Sequence, residues 1–97
     1  MTVELLLVPG HTTANLAVWI AEDRVLYAGD TVVSDYHPNL ASGTPPDWRL
    51  WLQSLDRLES LRAEILVPGH GRILRGEEVT AEIARTRTSL LRALGNV

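Results

Sequence analysis

The chain has no cysteine and no lysine, and all nine of its basic residues are arginine. Without cysteine there is no disulfide framework, no thiolate nucleophile and no Cys-type zinc site. The arginines are scattered, and twelve acidic residues bring the net charge to −3. That balance argues against a nucleic-acid surface and against a polybasic membrane patch. No apolar run approaches the roughly 20 residues of a membrane span. The opening Met1-Thr2-Val3-Glu4-Leu5 lacks the basic region and small-residue cleavage site of a secretory signal, so a cytoplasmic setting is expected. What is present is an ordinary globular composition, 45% hydrophobic over 97 residues. It reads as one unit over residues 1–97, without low-complexity tract or linker. A chain this short buries only about 60–65% of the surface its unfolded form exposes, which puts it near the limit of independent stability.

One internal echo stands out. Leu7-Val8-Pro9-Gly10-His11 recurs as Leu66-Val67-Pro68-Gly69-His70. Each copy is an apolar run, a Pro-Gly breaker and a histidine, which reads as a strand ending in a turn. Val3 to Val8 is almost continuously apolar, which predicts a strand covered on both faces. Leu16, Val18 and Ile20 share one face of a second strand, with Trp19 on the other. Glu22-Asp23 turns the chain into a third strand over Val25 to Ala28, and a hairpin is the simplest pairing of the two. Residues 34–46 read as loop. Thr44 caps a helix opened by Pro45 and Pro46, whose apolar stripe is Trp48, Trp51, Leu52, Leu55 and Leu58. A strand over Glu64 to Val67 follows. Glu77 and Glu78 begin a last helix, with Val79, Ile83, Leu90, Leu91 and Leu94 as its stripe and Gly95 as its stop. Arg85, Arg87 and Arg92 read as its solvated face. The expected order is β-β-β-α-β-α.

Three groups that metals accept end predicted strands: His11, Asp30 and His70. Imidazole and carboxylate are ligands for zinc, iron or manganese, and strand ends hold donors more rigidly than loops do. Each residue also has an ordinary reading as a turn or cap. Composition and spacing leave the two readings open.

The stretches Val8-Pro9-Gly10-His11-Thr12, Val25-Leu26-Tyr27-Ala28-Gly29-Asp30 and Val67-Pro68-Gly69-His70-Gly71 together resemble the metallo-β-lactamase fold superfamily, in order, spacing and strand context. The resemblance runs from about Val3 to Arg75. It implies that His11 binds a first metal, that Asp30 bridges two metals, and that His70 binds the second. The family's His-x-His-x-Asp-His motif does not occur in this sequence. The resemblance is therefore to the C-terminal half of an αββα sandwich: an α/β unit with a mixed sheet and two helices on one face. A second departure follows Thr12, where Thr13-Ala14-Asn15 stands in place of the Pro-Gly or Gly frequent in relatives.

The implied chemistry is hydrolysis. A metal lowers the pKa of a bound water from 15.7 to about 7, and two metals roughly 3.5–4 Å apart hold nucleophile and substrate oxygen together. Asp30 would fix that separation, accept a hydrogen bond from the attacking water and so count as the catalytic residue. Zinc is the first expectation, two ions per complete site, with iron or manganese as alternatives. Three ligands divided between two metals make a poor cage. The isolated chain is therefore expected to bind metal weakly and to turn over negligibly. Tyr36, His37 and Asn39, on the loop after the aspartate turn, are candidates for the substrate pocket, with a plain loop role as the alternative. Thr12 is a candidate for orienting His11, or a turn residue. The expected partners are a small-molecule substrate and either an N-terminal half or a second copy, with no nucleic acid and no membrane. The competing reading is a non-catalytic scaffold or dimerisation module that retains the half-fold. Fold does not choose among the family's β-lactams, thioesters, lactones, phosphodiesters and redox substrates.

Overall fold

A computed structural model describes residues 2–10, 15–32, 40 and 43–95. The elements run β1 (Val3–Leu7), β2 (Leu16–Ile20), β3 (Val25–Gly29), α1 (Pro45–Ser60), β4 (Ile65–Pro68), β5 (Leu74–Arg75) and α2 (Glu77–Gly95). They form a five-stranded sheet in the order β1-β2-β3-β4-β5. β1 pairs antiparallel with β2, and β2 antiparallel with β3, the expected hairpin. The crossover through α1 makes β3 and β4 parallel. The sheet is therefore mixed, and β1, β3 and β4 all run the same way. β5 extends the predicted order by one element: Leu74 pairs with Leu66 and Arg75 with Ile65. Two residues are too short to leave a periodic signal in sequence.

The sheet has one dry face. Leu6, Ala17, Trp19, Leu26, Ala28, Leu66 and Leu74 alternate into a core shared with Trp51, Leu55 and Leu58 of α1 and Val79, Ile83 and Leu90 of α2. Both helices thus cover one side, as expected. The opposite side carries the in-register rows Leu5, Val18, Tyr27, Val67 and Val3, Ile20, Val25, Ile65. There Leu5 is 68% exposed, and Val3, Leu7, Leu16 and Tyr27 are exposed as well. The expectation that both faces of Val3–Val8 are covered is corrected here. Side chains alternate across a strand, and no second layer within the described chain covers the odd-numbered set. Trp19 is the residue turned inward, while Leu16, Val18 and Ile20 form the open side.

α1 starts where Thr44 and its prolines place it. The Asp47 carboxylate accepts hydrogen bonds from the Thr44 backbone N–H and hydroxyl, each at 2.9 Å. Those bonds hold its carboxyl below the usual range. The buried stripe of α2 is Val79, Ile83, Thr86 and Leu90. Thr86 belongs to it because its hydroxyl donates to the Glu82 carbonyl at 3.0 Å and so needs no water. Leu91, one residue past the seam, is exposed. Arg87 also departs from the solvated-face reading. Its guanidinium crosses to α1, 2.9 Å from Asp56 Oδ1 and 3.3 Å from Glu59 Oε1. Among the described residues no helix is long and apolar enough to cross a membrane.

Candidate metal centre

Because β1, β3 and β4 run in one direction, their C-terminal ends share one edge of the sheet, where open α/β sheets place their ligands. β1 ends at Leu7, β3 at Gly29 and β4 at Pro68. Gly29, at φ 58, bends the chain into Asp30 through a conformation that L side chains rarely adopt. Its carbonyl accepts the Gly69 N–H at 2.7 Å, which ties the β4 turn to the β3 turn.

This tie brings two of the expected ligands together. His70 Nε2 lies 3.5 Å from Asp30 Oδ1, with the side chains 72% and 35% exposed. The separation exceeds that of a well-made hydrogen bond. Two donors each about 2.1 Å from one tetrahedral ion stand about 3.4 Å apart, so the imidazole and carboxylate suit a shared divalent metal. Among the described residues, no three His, Cys, Asp or Glu side chains converge on a metal position. His11, Thr12, Tyr36, His37 and Asn39 lie outside the described residues.

Sequence reasoning misses the groups that hold this edge in shape. Asn15 Nδ2 donates to Thr31 Oγ1, which joins the chain after His11 to the residue after Asp30. Gly69 reads in sequence as a turn breaker, yet its backbone lies directly beneath the Asp30 carboxylate. The echoed pentapeptides also differ in phase. Val8 is buried while Leu7 is exposed, whereas Leu66 is buried and Val67 half-buried. Only the strand neighbours decide which residue of each pair faces the helices.

A cavity of about 470 Å³ lies between the end of α1 and the start of α2, lined by residues including Asp56, Glu59, Arg62 and Thr80. It is at the opposite edge, where β4 begins, and both of its acids pair with Arg87. The edge holding Asp30 and His70 therefore remains the candidate site.

Comparison with known proteins agrees with this geometry. A profile of the metallo-beta-lactamase superfamily matches residues 2–70. The chain is 32% identical over 75 residues to the Beta-lactamase-like protein 2 homolog of Caenorhabditis elegans, covering 75% of the chain and 23% of that protein. It is 32% identical over 103 residues to the atrochrysone carboxyl ACP thioesterase of Aspergillus fumigatus, covering 99% of the chain and 30% of the relative. The crystal structure of a metallo-beta-lactamase family protein from Thermus thermophilus superposes with a TM-score of 0.80 at 27% identity, over 93% of this chain and 30% of that one. The chain thus spans under a third of the length of each of these relatives. With the profile matched over most of its length and its strand-end Gly-Asp and Pro-Gly-His turns meeting at one edge, the chain belongs to the metallo-beta-lactamase superfamily.

Proposed function

We propose that this chain supplies one half of the catalytic domain of a metal-dependent hydrolase, with His11, Asp30 and His70 as metal ligands and zinc as the metal. The observation that carries the reading is the approach of His70 Nε2 to within 3.5 Å of Asp30 Oδ1 at an accessible sheet edge. Its homologues are hydrolases of the superfamily. When bound, such a metal supplies Lewis acidity and a water acidic enough to ionise near neutral pH. The chain's own residues position donors: strand ends set His70 and Asp30, and the Gly29–Gly69 hydrogen bond keeps their separation. Asp30, the more enclosed of the two, would accept a hydrogen bond from the attacking water. Tyr36, His37 and Asn39 remain candidates for substrate contact, and Thr12 for orienting His11.

The missing donors come from a companion segment carrying His-x-His-x-Asp-His. Calorimetric zinc titration with a hydrolysis assay, on the chain alone and with such a segment, tests this. Weak binding and negligible turnover alone, both rising at least a hundredfold with the companion, are expected. Tight two-ion binding by the chain alone, or no change with the companion, contradicts the reading.

One observation favours a second reading, a scaffold or dimerisation module. The open sheet face bears ten apolar side chains, Val3, Leu5, Leu7, Leu16, Val18, Ile20, Val25, Tyr27, Ile65 and Val67. Strand spacing and rise give it a plan area on the order of 300 Å², comparable to the largest apolar patch of a typical monomer, which is often functional. A well-defined dimer that neither binds zinc nor is displaced by the companion favours this alternative.

A further inference from the structure

Pro9-Gly10 on one side and Asn15, through Thr31, on the other are both tied to one face of α1. On the first side, the Ser54 hydroxyl donates to the Pro9 carbonyl at 2.7 Å. Gly10, at φ 143, lies so close to the helix that a Cβ there would sit 2.7 Å from the Trp51 backbone nitrogen. On the second side, the Asn15 carbonyl accepts the Val8 N–H at 2.8 Å, and Asn15 Nδ2 donates to Thr31 Oγ1. Thr31 follows Asp30 directly and is 1% exposed. Its carbonyl accepts the indole N–H of Trp51 at 2.8 Å.

Trp51 and Ser54 are three residues apart and so are neighbours on one helix face. One of them grips the turn after β1, and the other grips the turn after β3 while its backbone also abuts Gly10. A purely packing tryptophan would need only its ring. Here the polar end of the ring is spent on the turn that holds Asp30, in a dry setting where a hydrogen bond is strong. We infer that the Trp51–Ser54 edge of α1 is a clamp that sets the spacing between the Pro9-Gly10 turn after β1 and the turn after β3 that carries Asp30. Both are positioning residues. The consequence for metal binding rests on the function proposed above, whereas the clamp itself is independent of metal.

The test is amide hydrogen exchange by NMR on the intact chain, comparing wild type with Trp51→Phe, Ser54→Ala, Ser54→Thr and an α2 core control, Ile83→Val. Trp51→Phe keeps a ring and removes the N–H. Exchange at Thr31 is expected to accelerate at least tenfold in Trp51→Phe, and at Val8 at least tenfold in Ser54→Ala. Leu26 and Leu66, at the sheet centre, should change less than threefold, and Ser54→Thr should restore protection at Val8. Ile83→Val should not reproduce the local pattern. Uniform acceleration at all four amides, or no change at Thr31 and Val8, would reduce Trp51 and Ser54 to ordinary packing and overturn the clamp. In a parallel zinc titration with the companion segment present, affinity should fall at least fivefold in Trp51→Phe and Ser54→Ala relative to Ile83→Val. Wild type failing to bind zinc even with the companion would remove the metal reading, and the exchange data would still decide the clamp.

Discussion

The backbone of Gly69 passes so close to Asp30 that a Cβ on it would strike the carboxylate and sit 2.8 Å from the Gly29 carbonyl carbon. One residue thus sets how near the β4 turn comes to the β3 turn, and hence how near His70 comes to Asp30. Gly69→Ala should push the turns apart, break the Gly69–Gly29 hydrogen bond and lower stability by about 1–3 kcal/mol, the usual range for overpacking. Thermal melts measure the stability loss, and zinc calorimetry the expected loss of affinity. Unchanged values in both would mean that the turn yields without consequence.

Replacing the ligands separates their roles. Asp30→Ala should lower zinc retention more than His70→Ala or His11→Ala, because Asp30 is the residue expected to serve both metals. Metal content after dialysis of each variant, in the presence of the companion segment, measures this. Equal retention by all three variants and wild type would show that none of them is a ligand.

The open sheet face predicts association. Burying an exposed leucine contributes about 1.5–3 kcal/mol, so covering Leu5, Leu7 and Leu16 favours any fitting partner. Leu5→Glu should leave the melt nearly unchanged, because the side chain is 68% exposed, and should shift the chain toward monomer. Sedimentation velocity at several concentrations checks it. A wild type that stays monomeric throughout would show that the face does not drive self-association.

The start of α2 predicts a pH dependence. The Glu78 carboxylate accepts the Arg75 backbone N–H at 3.1 Å and a guanidinium N–H of Arg72 at 2.6 Å. These bonds, the backbone one foremost, hold its carboxyl below its usual 4.5. A carboxyl depressed by folding stabilises the native state above its unfolded pKa, and that contribution is lost as pH falls through the lower, folded value. Melting temperature should therefore decline as pH drops below about 4.5, with Asp47 adding to the decline nearer its own lower range. Glu78→Gln should melt lower at neutral pH and show a shallower acid decline, measured by circular dichroism. A decline as steep as wild type would assign the acid sensitivity to other groups.

Helix–helix contacts differ in weight. Burial pushes the Arg87 pKa down, but Glu59 and then Asp56 outweigh it and raise the pKa, so the cation persists at all ordinary pH. Arg87→Ala should cost no more than about 1 kcal/mol, as partly exposed pairs do. Leu90→Ala, at a fully buried site, should cost about 2–5 kcal/mol. Chemical denaturation of the two variants measures the difference, and a reversed order would make the ion pairs the principal tie between α1 and α2.

Local chemistry is legible in the amino-acid order. Thr44 with Pro45 and Pro46 starts a helix, Pro68-Gly69 ends a strand, and strand alternation places Trp19 opposite Leu16, Val18 and Ile20. These features depend on neighbours within a few residues, and so do the Gly-Asp and Pro-Gly-His turns that carry the family resemblance. Other features depend on groups far apart in the chain. Val3 to Val8 reads as a strand buried on both sides, but a run of apolar residues cannot state how many layers will cover it. Arg87 reads as solvated until α1 brings Asp56 and Glu59 beside it, 31 and 28 residues away. Trp51 reads as packing alone, since periodicity reports which side of a helix is apolar and says nothing of the carbonyl its indole will meet. The order of amino acids by itself determined every element but β5, the turns between them and the kinds of donor at the strand ends. Tertiary structure alone decided that β1, β3 and β4 run parallel to one another, that Asp30 and His70 meet, and that Gly69 lets them, because each of these is a distance between segments that only the folded sheet brings together.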